Sequence, residues 1–88
     1  MKTEFLKQFD KDAENISVQS IRDEVTKAIE NIEKADKRSQ IKGLKKLSGY
    51  KNVFRVRIGD YRIGIFISKD TVEFARVVHR KDIYKVFS

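Results

Sequence analysis

The sequence contains no cysteine, a single histidine and only four glycines. Without cysteine, no disulfide and no thiolate metal site can hold the fold together. That absence is compatible with a reducing cytoplasm, the expected location. One histidine and scattered carboxylates do not make a metal-ligand set, so neither a metal nor another cofactor is expected. Paired carboxylates for hydrolytic acid–base work are also missing, because Asp60, Asp70, Glu73 and Asp82 fall in turns or apart. The glycines are too sparse for a phosphate-cradling loop, and no strand-to-helix transition with Lys-Ser/Thr follows them. There is no apolar run long enough to span a membrane and no signal peptide with its apolar middle and small-residue cleavage site. A soluble intracellular protein is the expectation.

What is present in excess is positive charge. The chain has 88 residues, read here as one small domain over 1–88 with a thin core. Its formal net charge is +7 and unevenly placed. Residues 1–35 hold six basic and eight acidic side chains, a net of −2, whereas residues 36–88 hold fourteen and five, a net of +9. A split this large points to a polyanion-binding surface built from the second half. The cations lie inside strand-like segments rather than in a tail, which argues against mere solvation of a face.

One stretch organises the chain: Phe54-Arg55-Val56-Arg57-Ile58-Gly59-Asp60-Tyr61-Arg62. Apolar and cationic residues alternate, and a period of two sends them to opposite faces of a strand. Gly59-Asp60 is a hairpin signal, since glycine takes positive φ cheaply and aspartate tolerates it. With Arg62 on the returning strand facing the side of Arg55 and Arg57, three guanidinium groups share one surface. Like charges that close repel, so the arrangement calls for an anion.

Before this stretch, the pattern predicts a short strand to about Leu6 and a helix to about Glu14. A second, amphipathic helix of roughly five turns follows, with Ser17 as its N-cap and Val18, Ile21, Val25, Ala28 or Ile29, and Ile32 on its apolar face. Residues 36–51 form a strongly cationic connection in which Ile41, Leu44 and Leu47 fit a loose helical turn or a packed loop. Three strands then follow at about Val53–Ile58, Tyr61–Ser68 and Thr71–Val78, joined by short turns and therefore antiparallel. Gly64 marks either a groove or a bulge in the middle strand. The period changes after His79, and a short terminal helix begins near Lys81 with Asp82 as its cap. The expected fold is α+β: a small antiparallel sheet of the N-terminal strand plus a three-strand meander, two helices on one face and a short C-terminal helix.

This order of elements resembles the RelE/ParE superfamily of toxins from type II toxin–antitoxin systems. The sharpest stretches are Gly43-Leu44-Lys45-Lys46-Leu47-Ser48-Gly49, the Phe54–Arg62 segment, and His79-Arg80-Lys81-Asp82-Ile83-Tyr84. The arginine and aromatic spaced like Arg80 and Tyr84 resemble the RelE branch in particular. The resemblance implies an endoribonuclease that cuts mRNA in the ribosomal A site and inhibits translation. It also implies a cognate antitoxin, expected to be acidic and partly disordered, whose complex with the toxin is expected to bind operator DNA. Carried over by position, the site is Arg57, Arg62, Arg80 and Tyr84, with Arg55 beside them. Lysines often stand at the positions of Arg55 and Arg57 in other members. An arginine keeps its proton where a lysine can lose it, so phosphate binding and orientation fall to these two.

Attack by the substrate's own 2′-hydroxyl on the adjacent phosphorus leaves a cyclic phosphate and a 5′-hydroxyl, and needs no metal. Guanidinium groups stabilise the charge gathering on the phosphoryl oxygens, the role expected of Arg62 and Arg80. Lys45, Lys46 and Lys51 extend the phosphate-binding surface. Tyr84 is the candidate for stacking on a base or for acid–base work, and His79 is the acid or base by residue type unless it packs on the opposite face. The resemblance also implies that ribosomal RNA can assist, so the site need not be complete alone. Two other readings share these residues: a ParE-like inhibitor of DNA gyrase, and a degenerate relative that binds RNA without cutting it.

Overall fold

The computed structural model describes residues 1–87. Along the chain run β1 (Lys2–Phe5), α1 (Lys7–Glu14), α2 (Gln19–Lys34), a 3₁₀ turn (Arg38–Gln40), β2 (Leu44–Lys46), β3 (Val53–Ile58), β4 (Tyr61–Ser68), β5 (Thr71–His79) and α3 (Ile83–Val86). The strands form one sheet in the order β1-β5-β4-β3-β2. The predicted meander is there: β3, β4 and β5 pair antiparallel through short turns. In the first of these turns Gly59 has φ 59°, as a two-residue hairpin with glycine leading requires. The α+β class therefore stands, with two refinements to the sheet.

First, β1 pairs with β5 in parallel, so the sheet is mixed. No tight turn links the two strands, and only a tight turn would have dictated an antiparallel approach. Second, the cationic connection contributes an edge strand, β2, antiparallel to β3. The three-residue spacing of Leu44 and Leu47 fits a loose helical turn or a packed loop. In extended chain an odd spacing instead sends two side chains to opposite faces. Leu44 packs against the main core, whereas Leu47 joins a second cluster.

The sheet is buried on both faces near β4. On one side Ile63, Ile65 and Ile67 meet Phe9 of α1, and Val25 and Ile32 of α2. Phe74 stacks on Phe5 at 4.8 Å and lies tilted against Phe9 at 5.4 Å. Burying each such side chain contributes about 1.5–3 kcal/mol. On the other side Leu47, Val53 and Ile83 cluster with Phe66, Val78, Val86 and Phe87. Gly64 does not open a groove here. A Cβ on it would lie 2.3 Å from Phe87 Cε2 and 3.3 Å from Ile83 Cδ1, so the missing side chain is the seat of the Phe87 ring. A bulge at Gly64/Ile65 in the β4–β5 register accompanies it.

Ser17 does not cap α2, which starts from Val18 without a side-chain bond. Asp82 does hold the N-cap position of α3, also without a side-chain cap bond. Asp12 of α1 ties that helix to the sheet edge. β1 covers β5 only as far as Phe74, which leaves the Val77 N–H to be satisfied otherwise. It donates to Asp12 Oδ2 at 3.1 Å, and Arg76 grips the same carboxylate through Nε at 2.7 Å and Nη2 at 3.2 Å. No helix among the described residues is long and apolar enough to cross a membrane.

Two stability measurements check this packing. In urea unfolding, Gly64→Ala should cost about 1–3 kcal/mol by overpacking, and far less when Phe87→Ala is already present. Asp12→Ala should cost about 2–3 kcal/mol, because it leaves a charged donor and a backbone N–H unpaired together.

Candidate functional site

Strand register brings the cations together. Lys45 lies opposite Arg55, Arg55 opposite Gly64, and Arg57 opposite Arg62. Directly opposed residues share a face, so Lys45, Arg55, Arg57 and Arg62 occupy the side away from α1 and α2. Arg80 enters from beyond β5. Its backbone N–H donates to the Asp60 carbonyl at 2.8 Å, which holds it beside the β3–β4 turn.

Arg55, Arg57 and Arg80 are close enough to act on Arg62. The Arg62 pKa is lowered from the ordinary arginine value, first by partial burial and then by the positive charges of Arg55, Arg57 and Arg80. Asp60 opposes this shift as the smallest contribution. The cluster is thus a site of net repulsion that an anion would relieve.

Backbone carbonyls hold the cluster in place. Arg62 Nη1 donates to Gly59 O at 2.8 Å and to Tyr61 O at 2.9 Å. Arg55 Nη1 donates to Gly43 O at 2.9 Å, and the Arg57 backbone N–H reaches the same oxygen at 3.3 Å. One carbonyl therefore organises two arginines. Gly43 has φ 73°, and a Cβ there would touch the Arg57 backbone at 3.4 Å. Sequence reading missed Gly43 as a part of the site; the signal was a glycine directly before Leu-Lys-Lys. On the helix-covered side, Lys42 and Asn31 line a separate cleft of about 330 Å³ between α2 and β3 that Arg57 borders. Each guanidinium carries five N–H donors, so these anchors leave donors for a ligand.

The other candidates are placed as follows. Tyr84 is 59% exposed on α3, while its neighbours Ile83, Val86 and Phe87 pack in the cluster on the arginine side of the sheet. The chain at Arg80 is still a turn, and the helix begins only at Ile83. Arg80 and Tyr84 therefore do not share a helical face. His79 is not brought to the arginines. It pairs with Tyr61, whose side chain packs on the helix-covered side. Its ring meets Tyr61 edge-on at 5.8 Å, in a shallow pocket of about 260 Å³ that Asp12 and Asn15 also line. Lys46 lies opposite Phe54, a residue of the helix-side core, and so turns away from the row. Lys51 is exposed in the β2–β3 loop. Arg76 faces the arginine side by register with Gly64 but is committed to Asp12. Among the described residues, no group of three or more His, Cys, Asp or Glu could hold a metal ion.

Known proteins share this architecture. The family described as the ParE toxin of the type II toxin-antitoxin system, parDE, matches residues 3–84. Toxin RelE3 of Methanocaldococcus jannaschii is 41% identical over 88 residues, 99% of each chain. A chain of the RelB–RelE antitoxin–toxin complex from Methanococcus jannaschii superposes with a TM-score of 0.81 at 38% identity, covering 97% of this chain and 99% of that one. A chain of the archaeal RelE–RelB complex from Pyrococcus horikoshii has a TM-score of 0.71 at 17% identity, with 90% and 93% covered, and shares the fold. The protein thus belongs to the ParE/RelE family and is a RelE-like toxin of a type II toxin–antitoxin system.

Proposed function

We propose that this toxin is an mRNA endonuclease acting on the ribosome, with the arginine row as its phosphoryl site. The observation that carries the reading is the strand register that sets Arg55, Arg57 and Arg62 on one sheet face, with Arg80 fastened beside the β3–β4 turn and bearing on Arg62. In the proposed reaction the RNA 2′-hydroxyl attacks phosphorus, the bond to the 5′-oxygen breaks, and a 2′,3′-cyclic phosphate and a 5′-hydroxyl remain. Negative charge builds on the non-bridging oxygens during this step. Guanidinium groups anchored beforehand on Gly43 O and Gly59 O, with the Arg80 backbone fastened to Asp60 O, stabilise that charge with little reorganisation. Arg62 and Arg80 serve the transition state, and Arg55 and Arg57 orient the phosphate. Lys45 continues the row toward β2. Tyr84 stacks on a base, an interaction worth about 1–3 kcal/mol. His79, on the other face, takes no proton from the substrate. The partner that restrains the toxin is an acidic antitoxin laid over this cationic surface, as expected for a half-chain of net charge +9.

Induction of the toxin without its antitoxin, followed by mapping of mRNA ends in arrested ribosomes, tests the reading. Codon-phased cuts are expected, and Arg80→Ala should reduce them about 100-fold or more. Growth arrest with intact mRNA and impaired supercoiling would overturn it in favour of gyrase inhibition. Binding without any cutting would mark a degenerate relative.

Anion binding has its own signature. Inorganic phosphate at ten times its Kd should raise stability by about 1.4 kcal/mol, read as a rise in Tm beyond that in sodium chloride of equal ionic strength. Arg57→Gln should remove most of the rise. It should leave the Tm without phosphate unchanged or higher, since it removes one charge that bears on Arg62.

A further inference from the structure

The single histidine lies next to Arg80 in sequence and on the opposite face from the arginine row. Its ring is tied to the backbone that carries Arg80. His79 Nδ1 accepts the Lys81 N–H at 3.2 Å, and the His79 carbonyl accepts the Asp82 N–H at 2.8 Å. His79 is therefore the first residue of a β-turn whose two central residues are Arg80 and Lys81. Asparagine and aspartate favour this position because their side-chain oxygen accepts the N–H two residues on. Here an imidazole nitrogen does the same. A third bond, Arg80 N–H to Asp60 O at 2.8 Å, fastens the turn to the β3–β4 hairpin.

We infer that His79 is a positioning residue for Arg80: its neutral imidazole closes the turn that aims the guanidinium at the row. The inference rests on the proposed phosphoryl site. It replaces the acid–base role expected from residue type with a structural one that still depends on protonation. Only a neutral ring has a lone pair on Nδ1, with its proton on Nε2. Protonation turns the acceptor into a donor facing another donor, and the Lys81 N–H loses its partner. The turn then loosens, and Arg80 loses its fixed approach. The titratable groups facing the ring are Asp12 from α1, Tyr61 from β4 and Asp82 at the start of α3. Asp12 is already held by Arg76 and by the Val77 N–H. Next to the ring in the chain stand the cations Arg80 and Lys81.

Two substitutions separate geometry from chemistry. His79→Asn keeps an acceptor at the same distance from the backbone but cannot titrate. His79→Ala has no acceptor. Ribosome-bound mRNA cleavage and the ¹⁵N-resolved Lys81 amide signal are followed across the acid range in the full-length wild-type and variant proteins. Wild-type cleavage should fall with acidification, in step with a change in the Lys81 amide shift and faster amide exchange. His79→Asn should cleave within about threefold of wild type and lose the acid limb. His79→Ala should lose at least about tenfold, in kcat rather than KM, with the Lys81 amide unprotected at every pH. A His79→Asn protein as impaired as His79→Ala would overturn the inference. So would a Lys81 amide indifferent to His79 protonation. Cleavage by Arg80→Ala at the wild-type rate would instead remove the phosphoryl-site reading, and the amide titration would still decide whether His79 closes the turn.

Discussion

Arg55, Arg57 and Arg80 all bear on Arg62 with like charge. The fold holds this cluster by giving the Arg55 and Arg62 guanidinium groups, and the Arg57 and Arg80 backbones, fixed oxygen partners. Gly43 O serves Arg55 and the Arg57 backbone together, and Gly59 O and Tyr61 O serve Arg62. All three oxygens are main-chain carbonyls, whose dipoles attract cations without adding net negative charge. A carboxylate at any of these places would satisfy the arginines and block an incoming phosphate. Among the described residues, the carboxylate that bears on Arg62, that of Asp60, is the weakest influence on it. Two of the carbonyls belong to glycines at positive φ, a conformation that directs an oxygen where an ordinary residue would pay in backbone strain.

The scaffold makes this surface possible by burying the middle of the sheet twice. Most small sheets covered by two helices leave their second face to water. Here α3 folds over part of that face, and the Phe87 ring sits where Gly64 lacks a side chain, edge-on to Phe66 at 5.7 Å. The arginine face is thus divided into an apolar half under α3 and a cationic half over β2, β3 and the start of β4. Tyr84 stands exposed on the helix that forms this division. The same small residue, Gly64, faces Arg55 across the strands and seats the helix. Packing of α3 and layout of the cations are therefore linked through one position.

Much of this was legible in the sequence, and the exceptions have physical causes. Alternation in Phe54–Ile58 placed Arg55 and Arg57 on one face, and the Gly59-Asp60 turn brought Arg62 beside them, because period and turn chemistry act locally. The α+β class and the meander followed from the same local rules. The parallel sense of β1 was not readable, since no short connection constrains it. β2 was hidden because Leu44 and Leu47 serve two different cores, a circumstance that imitates helical spacing. The side of the sheet on which His79 lies follows from its pairing with Tyr61; residue type pointed the other way, toward acid–base chemistry. Gly64 could be read as a groove or a bulge but not as the seat of a ring some twenty residues on, because that contact is tertiary.

The identity of the cations bears on what the toxin can do alone. Lysine at the positions of Arg55 and Arg57 could in principle surrender a proton under the pressure of its neighbours. Arginine does not. The four arginines are therefore charge stabilisers and not bases, Lys45 stands at the β2 end of the row opposite Arg55, and His79 lies across the sheet. On the proposed reading, a proton must leave the 2′-hydroxyl through Tyr84, through Lys45 or through a group outside the toxin. A site rich in electrostatic stabilisation and poor in proton acceptors is incomplete in isolation. It gains most from a substrate already bent and held by another body. On the proposed reading, dependence on the ribosome fits this side-chain chemistry: the toxin would supply the charge for the phosphoryl centre, and the ribosome the geometry and the missing proton traffic.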